Sequence, residues 1–368
     1  MTTTIPLVHR RQAVRTSMRS AGIDLLLIGP SAGFRYFAGR NAILTERFVA
    51  LAIGADGRDV IFSPRLQAPL YETMAGVELR IWDETEDPLA AVAAKARAAG
   101  VRSIAVNAEF WSGFLLQLAV HLPDVSLKNG AALIEAPRMV KGPEEIAALA
   151  AAAAKIDAVW AEFVATTDSM VGHTELELRA RIDAMMRAQG FSEVTWVDVG
   201  AGPNGASSLH HGSDHVIAAG EPVVFDFAGC YEGYYGDICR VAVSDEPHPD
   251  YVALYEIVRE AQELAFRAIR PGVAAGAIDA AGREHIAAHG FGPLFTHRLG
   301  HGIGLAAHEA PYIVASNDTP LEVGMTFSNE PGVYVPGRWG VRIEDIVVVA
   351  QDGATRLTQS PRDLVRFG

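Results

Sequence analysis

The sequence predicts two domains: an α/β domain, then an α+β domain built from two related halves. Three observations lead there. Strands and helices alternate over roughly the first 130 residues, the pattern of an α/β layer. Further on, Gly172–Phe191 aligns without gaps on Gly272–Phe291 at an offset of 100, matching at Gly172/Gly272, Leu178/Ile278, Ala180/Ala280, Ala188/Ala288, Gly190/Gly290 and Phe191/Phe291. Each copy follows a long helix pattern and precedes a hairpin, and each hairpin carries two carboxylates. The domains are expected at residues 1–136 and 137–368.

In order along the chain, residues 9–21 read as a surface helix, and Asp24–Ile28 is a buried strand ended by Gly29-Pro30. Val49–Ile53, Asp59–Phe62, Leu79–Trp82 and Ser103–Val106 are further strands, with helices at Pro88–Ala99 and Phe110–Val120. This first domain holds neither a cluster of metal-type ligands nor a glycine-rich phosphate loop. Lys141-Gly142-Pro143 breaks the chain, and Glu144-Glu145 opens an alanine-rich helix to about Ala165, acids at a helix start suiting its dipole. The second long helix spans about 249–269.

Of 368 residues, 49% are hydrophobic and 20% charged, enough to fill a core in each domain. A net charge of −13 argues against nucleic acid or an anionic membrane as partner. Only Cys230 and Cys239 are present, which is not the framework of a secreted disulfide scaffold. The opening MTTTIPLVHRRQAVR lacks the apolar core of a signal peptide, and the longest apolar run, Ile146–Ala154, is too short to span a bilayer. A cytoplasmic location is expected.

The first hairpin runs from Val223 to Val243 around Tyr231-Glu232-Gly233. A register centred between Tyr231 and Glu232 sets Asp226 opposite Asp237. Carboxylates that close repel unless a proton or a cation sits between them, and Asp is a poor strand residue. The second hairpin turns at Gly337 and opposes Glu330 to Glu344. Between them lies His297-Arg-Leu-Gly-His301-Gly-Ile-Gly-Leu-Ala-Ala-His308, three histidines interleaved with glycines that permit close backbone approach. Four carboxylates and one histidine suit two divalent ions better than one tetrahedral zinc. Two ions about 3.5–4 Å apart share a water and make a hydroxide near neutral pH. The remaining histidines are then placed to stabilise or protonate a tetrahedral intermediate.

FDFAGCYEGYYGDICR, HRLGHGIGLAAHEAP, SNEPGVYV and GVRIED resemble, in order and spacing, the pita-bread metallopeptidases, namely Xaa-Pro dipeptidases (prolidases) and aminopeptidases P. FRYFAG at 34–39 and MVKGPEE at 139–145 resemble the same family's N-terminal domain and the start of its catalytic domain. The resemblance implies a creatinase/prolidase-like α/β N-terminal domain and a pseudo-twofold pita-bread C-terminal domain. It implies Asp226, Asp237, His301, Glu330 and Glu344 as metal ligands, with Asp237 and Glu344 bridging. Glu330 is also given a catalytic role, His308 resembles the catalytic histidine, and His297 a substrate-side histidine. Arg342, two residues before Glu344, is expected to orient it, to meet a substrate carboxylate, or to form an ordinary ion pair.

Two departures stand out. Seventeen residues before Asp226, where the family carries a histidine, stands Leu209, followed by His210 and His211. A one-residue shift in this loop is expected to bring His210 into the role. Cys239 stands where the family usually has threonine. The expected activity is hydrolysis of Xaa-Pro bonds, in dipeptides, by a hydroxide bridging two metal ions. Manganese heads the expected metals, with cobalt and zinc as alternatives, and the resemblance implies a homodimer. Longer Xaa-Pro peptides, a non-peptide small amide, and a non-enzymatic peptide-binding scaffold are the competing readings.

Overall fold

The computed structural model describes residues 7–368, so Met1–Pro6 of the opening segment lie outside the described residues. The chain divides into two compact units, meeting between Arg138 and Met139.

The first unit contains α1 (Leu7–Ser20), β1 (Leu25–Ile28), α2 (Ala32–Ala38), β2 (Ala50–Gly54), β3 (Asp59–Pro64), β4 (Glu78–Trp82), α3 (Pro88–Ala98), β5 (Ser103–Val106), α4 (Ser112–His121), β6 (Ser126–Asn129) and α5 (Ala131–Met139). Its six strands form one mixed sheet in the order β4-β3-β2-β1-β5-β6. The all-apolar β1 sits at the centre, where both faces are covered. α3 starts where its chemistry says it should: Asp87 accepts from the Leu89 and Ala90 amides, and Pro88 follows as the first helical residue. α1 is less a surface helix than its charge suggests. Arg11 and Arg15 are buried and grip Asp59 at 2.9 and 2.5 Å. α2, β6 and α5 escape the sequence reading because α2 is short and β6 is a polar, largely exposed edge strand.

The second unit contains α6 (Pro143–Ala165), α7 (Glu175–Ala188), β7 (Glu193–Ala201), β8 (Pro222–Tyr231), β9 (Tyr234–Ser244), α8 (Pro249–Ala268), α9 (Ala275–Ala288), β10 (Gly300–Gly302), β11 (Glu309–Ile313), β12 (Thr326–Asn329), β13 (Gly332–Val335), β14 (Trp339–Arg342), β15 (Asp345–Ala350), β16 (Gly353–Arg356) and β17 (Val365–Phe367). The sheets order as β17-β9-β8-β7 and β11-β10-β12-β15-β16, with β13-β14 as a separate ribbon.

The repeat read from the sequence is a repeat of backbone geometry. Gly172 and Gly272 take φ of 86° and 85°, and Gly190 and Gly290 take 93° and 85°, a region that favours glycine. The Gly172 amide donates to Ile217 O (3.0 Å) and the Gly272 amide to Leu321 O (2.7 Å). Thr174 bridges Val216 as Ala274 bridges Pro320. Each half packs its helix pair on a sheet. Trp160 and Phe163 stack on one another and pack at a tilt against Phe225 in the first half, while Val258, Ala261 and Ile278 share a core with Phe327 and Val347 in the second. The acid-bearing hairpins are thereby held between two buried cores.

Candidate metal centre and active site

β8 and β9 are joined by Glu232-Gly233, both at positive φ (48° and 91°), the two-residue turn whose twist matches a hairpin. Tyr231 therefore pairs with Tyr234, and the register expected from the sequence is corrected by two residues: Asp226 faces Cys239, and Asp237 faces Ala228. The turn centre moved by one residue, so the parity of the pairing is kept. Asp226 and Asp237 remain on one face as diagonal neighbours.

In the second hairpin Val335 pairs with Trp339 and Gly332 with Arg342, a register centred on Gly337 as expected. Glu330 and Glu344 lie just past its open end. The return arm is not one strand, however. After Arg342 it leaves β13, and Glu344 forms a bridge to Cys239, its amide donating to Cys239 O (3.1 Å). This contact brings the acids of the two hairpins together.

His301 on β10 completes the group. Its Nδ1 donates to Gly302 O (3.1 Å), which leaves Nε2 facing Glu330 Oε1 (3.1 Å) and Asp237 Oδ2 (3.9 Å). Three overlapping sets result, each able to offer its donor atoms within 4.8 Å of one another: Asp226/Asp237/Glu344, His301/Glu330/Glu344 and Asp237/His301/His308. Asp237 Oδ1 and Glu344 Oε1 are buried with no hydrogen-bond donor. Burial and then the neighbouring carboxylates push both acids well above the usual carboxylate range. Burial also works against Glu330, but the His301 hydrogen bond and the charges of His301, His297 and Arg342 outweigh it and bring it to about 2. Crowded oxygens without donors are what divalent cations satisfy, so the donor set fits a metal.

Arg342 turns to Asp226 rather than to Glu344. Its Nε and Nη2 donate to Asp226 Oδ2 (2.8 and 2.5 Å), and its Nη1 to the Tyr334 hydroxyl oxygen (2.7 Å). The other oxygen of Asp226 accepts from Trp196 Nε1 (2.6 Å). His297 Nδ1 donates to Arg298 O (2.7 Å), and its Nε2 accepts from the Tyr334 hydroxyl (2.9 Å). His308 lies against His301 and Trp196, with ring centroids 4.0 and 5.3 Å away. Burial, then the His301 charge, lowers it to about 4. The adjacent Glu309 is clamped by Lys141 in a buried pair at 2.8 Å.

The metal-type donors, His297, His308 and Arg342 line a cavity of about 510 Å³ with Trp196, Asp198, Ser208, Leu209, His211 and Arg298. His210 is not among its walls but lines a small pocket that shares Asp198, Ser208, Asp226 and Arg342 with it. Its Nε2 meets Glu175 Oε2 at 2.7 Å, and Glu175 is fully buried at the start of α7. That carboxylate also accepts from the amides of Ala201 and Ser213 and from Ser213 Oγ, so it gathers the loop and draws His210 in with it. This loop lines the cavity with Ser208, Leu209 and His211, the last bonded through Nδ1 to Asp198 Oδ1 (2.6 Å). Asp198 pairs with Asp226 across β7 and β8, and burial raises it first of all. Trp196 and Asp198 escaped the sequence reading. The available signal was an acid two places from a tryptophan in the otherwise apolar stretch Trp196–Ala201, the period that puts both on one face. Cys239 is buried, and its thiol donates to Arg342 O (3.4 Å).

The sequence model described as Metallopeptidase family M24 matches residues 147–351, which contain every one of these donors. The chain belongs to metallopeptidase family M24. The Creatinase/Prolidase N-terminal domain model matches residues 10–140 of the same chain. The chain is 41% identical to the probable dipeptidase PepE of Mycobacterium tuberculosis over 353 residues, covering 94% of this chain and 92% of that one. It is 33% identical to the Xaa-Pro dipeptidase of Lactobacillus helveticus, covering 94% and 96%. The crystal structure of the prolidase from Thermococcus sibiricus superposes with a TM-score of 0.94 at 32% identity, covering 99% of this chain and 100% of that one. The M24 protein is thus a metallopeptidase of pita-bread fold, and its hairpin acids and His301 offer donor sets that could hold a divalent metal in the cavity.

Proposed function

We propose that this M24 peptidase hydrolyses the Xaa-Pro bond of dipeptides with two divalent ions. The observation that carries this is the meeting of Asp226, Asp237, His301, Glu330 and Glu344 in overlapping donor sets, with orphaned buried oxygens on Asp237 and Glu344. The dipeptidase and prolidase names of its relatives support the substrate. Oxygen-rich donors suit manganese, with cobalt and zinc as alternatives. When bound, the metal pair activates water and polarises the scissile carbonyl.

The remaining work falls to side chains. Glu330, held ionised, accepts the proton of the attacking water and passes it to the prolyl nitrogen, which has no hydrogen of its own and leaves as a secondary amine. His308, neutral at pH 7, keeps a ring N–H to donate to the carbonyl oxygen as charge gathers there. Arg342 and Trp196 hold Asp226 in place, and His297, fixed by Tyr334 and its neighbour's carbonyl, forms the wall on the substrate side. His211, not His210, is the histidine this loop offers the site.

Two free, buried cysteines suit a reducing cytoplasm. A homodimer is in keeping with α4, which buries only Leu118 and exposes Trp111 at its N-cap together with Leu116 and Val120. The test is proline release from Ala-Pro and a panel of Xaa-Pro peptides after chelation and reloading with Mn, Co or Zn. Proline release restored by metal is expected. No release from any peptide with any metal would sink the proposal.

A further inference from the structure

We infer that Arg298 receives the free C-terminal carboxylate of the substrate, and that it makes this peptidase select dipeptides over longer or amidated chains. The inference rests on the Xaa-Pro reading above. Its ground is a charge imbalance in the cavity wall.

Asp198, Asp226, Asp237, Glu330 and Glu344 line the cavity, and the last four belong to the metal donor sets, so a substrate carboxylate needs a cation outside that cluster. Two arginines share that wall. Arg342 is occupied by Asp226, the Tyr334 hydroxyl and Ser208 O. Arg298 pairs with no carboxylate among the described residues. Its guanidinium lies over the Tyr312 ring, 4.4 Å from the centroid, a contact that positions the cation without cancelling its charge.

The backbone on both sides of Arg298 is fastened to α9. Arg283 donates to His297 O (2.7 Å), and the Leu299 amide donates to Asp279 Oδ1 (2.9 Å). Arg283 and Asp279 are themselves paired at 2.7 Å. The half-buried side chain thus projects from a fixed base, so little entropy is lost when its fork closes on an anion.

Substrate geometry does the rest. In an Xaa-Pro dipeptide the carboxylate lies one residue beyond the scissile carbonyl, a span of roughly 3.8 Å at most. A longer peptide or an amide has a neutral group at that place. A planar carboxylate suits the two parallel N–H groups of a guanidinium. The Arg298 guanidinium therefore reads chain length directly, as charge.

The test compares Ala-Pro with Ala-Pro-amide on wild type, R298K and R298A, all loaded with the same metal, together with inhibition by proline and by prolinamide. The expected result is that R298A lowers the acid-to-amide ratio of kcat/KM by about 10- to 100-fold, mainly through KM, with R298K in between. Inhibition by proline should weaken more than inhibition by prolinamide. An unchanged ratio and unchanged relative inhibition in R298A overturn the inference, and if R298A does not fold, the same readings on R298K decide. Should wild type cleave neither compound, the Xaa-Pro reading fails, and the proline and prolinamide binding still judges Arg298.

Discussion

Replacing Glu344 by glutamine should stabilise the metal-free protein while removing its response to metal. Glu344 can bring an oxygen within 4.8 Å of oxygens on Asp226 and Asp237, and burial with these like charges pushes its carboxyl well up. At an effective dielectric of about 20, two like charges at that distance repel by about 3.5 kcal/mol. Glutamine keeps the shape, removes that repulsion and supplies an N–H beside Asp237 Oδ1, which accepts from none of the described residues. The gain is at most about 3 kcal/mol, because Glu344 can also escape the repulsion by taking up a proton. For a domain of this size that corresponds to ~6–12 °C in Tm. The sign with pH follows from the raised pKa. Stability is fully present below the unfolded value of about 4.3 and is lost as pH rises through the higher folded value. The advantage of E344Q should therefore vanish near pH 4 and grow towards pH 8. Calorimetry in chelator at both pH values, then with added Mn, reads all of this. An E344Q protein that melts at or below wild type in chelator at pH 8, or gains as much from Mn as wild type does, would refute the reasoning.

Other substitutions probe the neighbouring parts. His308→Ala should lower kcat by about 10²–10⁴-fold with metal content and Tm intact, as measured by steady-state kinetics and metal analysis. Glu175 is held below its ordinary value: burial opposes this, but donors from Ala201, Ser213, His210 and Asn204 outweigh it. Its contribution to stability is thus present above the unfolded carboxylate pKa and lost as pH falls through the folded one. Glu175→Gln should cost about 2–3 kcal/mol at pH 7 and much less in acid, by denaturant melts across pH. His210→Ala should remove one of these partners, costing about 1–2 kcal/mol in the same melts. A Cβ at Gly340 would strike the Gly205 carbonyl, so Gly340→Ala should cost about 1–3 kcal/mol and displace the loop carrying Leu209 and His211, read as lost activity beyond the loss of stability.

The sequence alone determined the features that repeat or pattern can express. The internal repeat was legible because glycines at positive φ and a Phe recur at fixed spacing, and the backbone obeys them at Gly172/Gly272 and Gly190/Gly290. The second hairpin's register was legible from Gly337, and the residue types that gather at the cavity floor stood out because acids are rare in strands. Tertiary structure decided what local pattern leaves open. The first hairpin slid because Glu232 accepts positive φ beside Gly233, a turn choice that apolar alternation cannot distinguish when parity is kept. His210 was drawn off by Glu175, thirty-five residues away, and Arg342 was taken by Asp226 at a separation of 116. With Arg342 taken by Asp226, the other arginine of the cavity, Arg298, pairs with no carboxylate among the described residues. Long-range partners set which charges are cancelled, and a linear pattern contains no measure of that.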